Sequence, residues 1–158
     1  MTPVQLAAWL LALSPVLDGN GHPIPMPAAA ARGIAIVAME TDSPQFYAAT
    51  LRLFSALESG YRPSAAGDCP GMRAGSPLCT RELGARSCGA MQTPCATTPK
   101  DAIGQLRYAV VLLKRSMVGC VSHPLSLYMS GRCANVGASR ELLIRAAVAV
   151  PVNEGEGT

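Results

Sequence analysis

Residues 44–60 read PQFYAATLRLFSALESG. Phe46, Thr50, Leu53, Phe54 and Leu57 recur three and four apart, so they share one face of a helix. Ser43 stands where an N-cap belongs, Pro44 suits the first turn, and Gly60 supplies the left-handed stop. A helix over 44–59 is therefore expected, with a wide apolar stripe and Glu58 in its last turn.

Working outward, Thr2-Pro3 starts a helix over 3–14, with Thr2 as cap. Residues 15–30 hold Pro15, Pro23, Pro25 and Pro27 with Gly19 and Gly21, and read as a loop or linker. Arg32–Glu40 is apolar and reads as a short buried helix. Residues 62–98 are rich in Gly, Pro, Ser and Cys without a sustained period, and irregular segments of that length are usually functional. Thr98-Pro99-Lys100-Asp101 resembles a capping box, with Ile103, Leu106, Val110, Leu113 and Met117 on one face of the helix it opens, which Gly119 ends. His123-Pro124 starts a short helix to about Ser130. Ser139 caps a last helix over 140–149, stopped by Pro151, and residues 151–158 form a mobile tail. No period-two alternation persists, so any strands are confined to 62–98. The expectation is one mainly α domain.

Composition agrees with a single packed domain. Apolar residues make up 49% and charged residues 15%, which argues against disorder. A formal charge of +3 without a Lys/Arg cluster is no nucleic-acid footprint. All six cysteines fall in the second half: Cys69, Cys79, Cys88, Cys95, Cys120 and Cys133. They imply up to three disulfides and an oxidising compartment, with buried thiols as the alternative. Without a C-x-x-C pair, structural zinc is a poor reading. Six cysteines allow fifteen pairings. Cys120–Cys133 is one expected pair, since it would brace the segment carrying Tyr128. His22 and His123 lie far apart, so neither metal nor cofactor is expected. Leu6–Leu13 is apolar, yet no Lys or Arg precedes Arg32, so the basic region of a Sec signal is missing. The run is too short to span a bilayer. The expectation is a helix of the mature protein and a Sec-independent route.

Glu58 is the residue to weigh for chemistry. A carboxyl group at a helix C-terminus faces the negative end of the dipole, which favours the neutral acid that a general acid must be. Taken locally, a solvated glutamate at a helix end is the stronger reading. Its surroundings change that. Glu58-Ser59-Gly60-Tyr61-Arg62-Pro63-Ser64-Ala65 resembles the Glu-Ser motif of the lytic transglycosylases, a branch of the lysozyme-like superfamily. Gly89-Ala90-Met91-Gln92 resembles their Gly-Leu-Met-Gln motif. After a long amphipathic helix, Leu127-Tyr128-Met129-Ser130-Gly131 resembles their Ala-Tyr-Asn-x-Gly motif. The resemblance covers about residues 44–133. Ala90 replaces Leu, Leu127 replaces Ala, and Met129 replaces Asn.

The resemblance implies a lysozyme-like fold with little or no sheet. Residues 44–150 would be the catalytic core and residues 1–43 a helical extension packed on it. It also implies roles. Glu58 would protonate the bond between N-acetylmuramic acid and N-acetylglucosamine, then take a proton from the muramoyl C6 hydroxyl, which closes on C1 to give a 1,6-anhydro sugar. The substrate's N-acetyl group assists, so one carboxylate suffices. Tyr128 would hydrogen-bond Glu58, Gln92 would bind sugar, Met91 would line the cleft and Ser59 would support the site from beneath. The implied partner is peptidoglycan, met by a monomer in the envelope or periplasm, or delivered by a phage virion or a secretion apparatus. Rival readings are a hydrolytic lysozyme using Asp68 or Glu82, a cysteine peptidase using His123, and a catalytically silent wall-binding or virion module.

Overall fold

The burial that organises the chain is that of residues 44–59. A computed structural model describes residues 1–73 and 76–153. In chain order its elements are α1 (Pro3–Ala12), β1 (Val16–Leu17), β2 (Pro23–Ile24), α2 (Ala28–Ala38), α3 (Pro44–Ser59), β3 (Ala66–Gly67), β4 (Ser87–Cys88), β5 (Thr93–Pro94), α4 (Ala102–Gly119), α5 (Ser126–Ser130) and α6 (Ala138–Val148). Every residue of α3 from Tyr47 to Ala56 is buried. Helices α1, α2, α4 and α6 pack around it. Leu6 and Trp9 of α1, Ile34 and Val37 of α2, Leu51 and Phe54 of α3, Leu106 and Leu113 of α4, and Ile144 of α6 form one buried cluster. The described chain is thus one mainly helical domain with small sheets. No described helix is long and apolar enough to cross a membrane.

The helix ends follow from local chemistry. Thr2 and Gln5 form a reciprocal capping box on α1. Helix α2 starts at Ala28, four residues before the expected Arg32, because the alanine run after Pro27 consists of the best helix formers. Gly60 takes the left-handed backbone (φ 60°) that ends α3. Helix α4 is capped by Asp101, whose carboxylate accepts from the Gly104 amide at 2.6 Å, and not by Thr98. Thr98 is buried, with its hydroxyl turned to the Pro94 carbonyl. Helix α5 begins at Ser126 rather than at His123. Helix α6 is capped by Gly137 at φ 92°, a backbone that serine does not adopt cheaply, and so not by Ser139.

Strands are not confined to 62–98. β1 and β2 form an antiparallel hairpin, Val16 opposite Ile24 and Leu17 opposite Pro23. The Asp18 carboxylate accepts from the amides of Asn20 and His22, and Gly21 takes φ 82°. This is an Asx turn, and it closes a loop that proline content alone marks as irregular. Those amide bonds, His22 first, hold Asp18 below the usual carboxylate range. The second sheet runs β3–β4–β5, all antiparallel. Of the tail, 151–153 has no regular structure and 154–158 lies outside the described residues.

The six cysteines form three disulfides, Cys69–Cys79, Cys88–Cys95 and Cys120–Cys133, with Cα separations of 5.5, 4.9 and 5.4 Å. The first two staple the irregular segment, whose small core consists of Cys69, Cys79, Ala85 and Cys88. The third ties the end of α4 to the segment after α5. Replacing Cys120 and Cys133 by alanine should lower stability by about 2–4 kcal/mol, through release of the unfolded chain. Urea denaturation of oxidised protein checks this, and an unchanged midpoint would contradict it.

Candidate active site

The end of α3 meets the β4–β5 hairpin. The four residues joining those strands are Gly89, Ala90, Met91 and Gln92, and their polar groups are taken up by side chains from three helices. The Ser59 hydroxyl donates to the Ala90 carbonyl at 2.7 Å and accepts from the Arg62 amide at 3.1 Å. The Gln105 side chain, 2% exposed on α4, accepts from the Ala90 amide at 3.0 Å and donates to the Pro63 carbonyl at 3.0 Å. The Tyr128 hydroxyl donates to the Met91 carbonyl at 3.0 Å. Buried backbone groups need such partners, because leaving one unpaired costs about 1–3 kcal/mol.

The turn's shape also requires its first glycine. Gly89 stands at φ 81°, and a Cβ there would lie 2.5 Å from Gln105 Oε1. Gln92 takes φ 48°, unusual outside glycine. Its amide accepts from the Ser87 hydroxyl at 2.8 Å and donates to the Gly89 carbonyl at 2.9 Å. Gln92 and Tyr128 both line a groove of about 370 Å³ with Pro94, Leu112 and Arg115.

Glu58 projects from the last turn of α3. Its side chain is 32% exposed and accepts from Arg140 of α6 at 2.7 Å. It does not line the groove shared by Gln92 and Tyr128. Phe54, one turn earlier on the same helix face, links the parts. Its ring packs edge-on against Tyr128, with centroids 5.1 Å apart, and the Arg140 guanidinium lies over it at 4.6 Å. Burial pushes the Tyr128 hydroxyl above the usual tyrosine range. The nearby Glu58 charge pushes it the same way, with Arg140 opposing.

Two expected contacts take another form. Tyr128 has one hydroxyl hydrogen, and it goes to the Met91 carbonyl, so Tyr128 donates no bond to Glu58. It fixes the hairpin turn to α5 instead. Met91 is 2% exposed, and its sulfur accepts from Ser55, so it belongs to the core and not to a cleft wall. Asp68 is exposed at φ 54°. Glu82 is exposed and held below the usual carboxylate range by the bond to its own amide, by Thr80 and by nearby cations. Neither Asp68 nor Glu82 is paired with Glu58. Three residues that shape the site, Phe54, Gln105 and Arg140, carry no motif. Phe54 is legible in sequence only as a member of the apolar face of α3, one turn before Glu58. Among the described residues, no group of three or more His, Cys, Asp or Glu is gathered to hold a metal ion.

Comparison with known proteins adds no relative: no family model, curated protein or solved structure matches the chain.

Two outcomes are expected. Gly89→Ala should destabilise the fold by about 1–3 kcal/mol, since alanine must hold a positive φ and displace Gln105. Thermal unfolding checks it, and a wild-type midpoint would contradict it. A double-mutant cycle with Glu58→Gln and Arg140→Met should give a coupling of at most about 1 kcal/mol, because the pair is partly open to solvent. A coupling several times larger would mean that the pair is far better shielded than its exposure implies.

Proposed function

We propose that the chain is a lysozyme-like peptidoglycan lytic transglycosylase with Glu58 as its acid and base. The observation that supports this reading is convergence. The three segments that resemble the family's motifs lie tens of residues apart. They meet through Ser59 on Ala90 and Tyr128 on Met91. A chain that carried those motifs by chance has no reason to bring them together.

In this reading Glu58 protonates the glycosidic oxygen between N-acetylmuramic acid and N-acetylglucosamine, and the leaving sugar departs with that proton. The substrate's N-acetyl oxygen covers C1. The Glu58 carboxylate then takes the proton of the muramoyl C6 hydroxyl, whose oxygen bonds to C1. No water enters, and the hydroxyl's tether supplies the proximity that a second carboxylate would otherwise arrange. Gln92 and Tyr128 wall the groove that takes the sugars. Arg140 pairs with the carboxylate form of Glu58, so proton delivery requires that pair to open.

The same ion pair favours a second reading, a catalytically silent wall-binding module whose glutamate is only a structural anion. Purified peptidoglycan separates the two. The transglycosylase should release muropeptides ending in 1,6-anhydromuramic acid. Glu58→Gln should lower turnover by about a hundredfold or more while the fold persists, because an amide delivers no proton. Products one water heavier would mean a hydrolase. Wild-type protein that binds the wall without releasing products would mean the silent module.

A further inference from the structure

One charged side chain lies inside the core and takes no part in the site above. Arg52, midway along α3, is 7% exposed. One terminal nitrogen, Nη2, donates to the Ser14 carbonyl at 2.6 Å, while the buried Nε has no hydrogen-bond partner. No carboxylate among the described residues forms an ion pair with it. Burial pushes the guanidinium down from the usual arginine range. A buried cation without an anion is costly, and chains seldom keep one without use.

Arg52 lines a cavity of about 480 Å³ walled by Leu13, Val16, Leu53, Leu57 and Ala147. That volume falls within the range of small-molecule sites. Arg52 is the only charged residue among those that line it. Leu17, Leu143 and Val150, also lining residues, are exposed by 53%, 55% and 45%. An apolar rim leads to an apolar chamber with one cation in its wall, which is the complement of an amphipathic anion.

We propose that this cavity binds one medium-chain acyl carboxylate, its head on the Arg52 guanidinium and its chain between the N-terminal segment, α3 and α6. The head group is set by the guanidinium, which has no carboxylate partner among the described residues and a free Nε, and which favours a carboxylate through charge-assisted hydrogen bonds. The chain is set by the aliphatic walls. This site stands apart from the glycan reading and does not depend on it.

Trp9 is the only tryptophan, and its indole nitrogen donates to the Val150 carbonyl at 2.9 Å, so its fluorescence reports on the cavity rim. The full chain is titrated with dodecanoate below its micelle-forming concentration, by Trp9 fluorescence and by calorimetry. Saturable one-to-one binding is expected. Dodecanol should bind about tenfold more weakly or worse, the worth of one charged hydrogen bond, and dodecyltrimethylammonium should not saturate. Arg52→Met, with its fold checked by circular dichroism, should lose the preference for dodecanoate over dodecanol. Ala146→Phe, at an exposed lining position, should block dodecanoate without unfolding the protein. Should Arg52→Met fail to fold, the head-group series and Ala146→Phe decide alone. No saturable dodecanoate binding, equal binding of the alcohol, or wild-type binding by Ala146→Phe would each overturn the proposal.

Discussion

The whole arrangement depends on the burial of α3. From Tyr47 to Ala56 no residue of that helix reaches solvent freely, so it is a core helix with neighbours on every side rather than an amphipathic surface one. Apart from Arg52, whose Nε is unpartnered, its polar members are satisfied in place. Thr50 turns its hydroxyl back to the Phe46 carbonyl at 2.7 Å, and Ser55 reaches the Met91 sulfur. Toward its C-terminal end the helix emerges at Leu57 and Glu58, while Ser59 stays buried. A carboxylate in the last turn is thereby carried out of the core on a rigid stem, while Gly60 turns the chain away behind it. Phe54 and Leu51 anchor the helix in the core, and Ser59 ties its end to Ala90 and Arg62.

The second constraint is the hydrogen bonding of the 89–92 turn. Residues 62–98 contribute little to the main core, so they cannot be ordered by apolar burial alone. Two disulfides close its loops, and Ser59, Gln105 and Tyr128 hold its turn. Each of these side chains comes from a different helix, which is why α3, α4 and α5 meet at one point. Helix α6 adds Arg140 to the cluster and, through Leu143 and Ala147, also walls the cavity at Arg52. One helix thus borders both the carboxylate and the apolar chamber.

Much of this was legible in the sequence, for identifiable reasons. The span of α3 follows from an apolar stripe between a first-turn proline and a stop glycine, signals that act within a few residues. The same holds for α1 and for the body of α4. Where a cap competes with a tertiary hydrogen bond, local reading fails: Thr98 is drawn to Pro94, and Asp101 caps α4 instead. The β1–β2 hairpin was missed because two-residue strands show no alternation, although Asp18, Gly19, Asn20 and Gly21 are turn formers. At the site, Glu58, Ser59, Gln92 and Tyr128 stand in short motifs and could be singled out. Arg140 is eighty-two positions from Glu58 along the chain, and only folding joins them. The destination of the Tyr128 hydrogen and the burial of Met91 likewise depend on contacts more than thirty residues apart in sequence.

We propose that glycan is cut at the emergent end of α3. A crystal structure of the Glu58→Gln variant with a peptidoglycan tetrasaccharide tests it most directly. Sugar rings are expected in the groove walled by Gln92 and Tyr128, with the bridging oxygen between N-acetylmuramic acid and N-acetylglucosamine within hydrogen-bond reach of the side chain at position 58. Sugar seated away from that helix end, with the bridging oxygen out of reach of position 58, would contradict it.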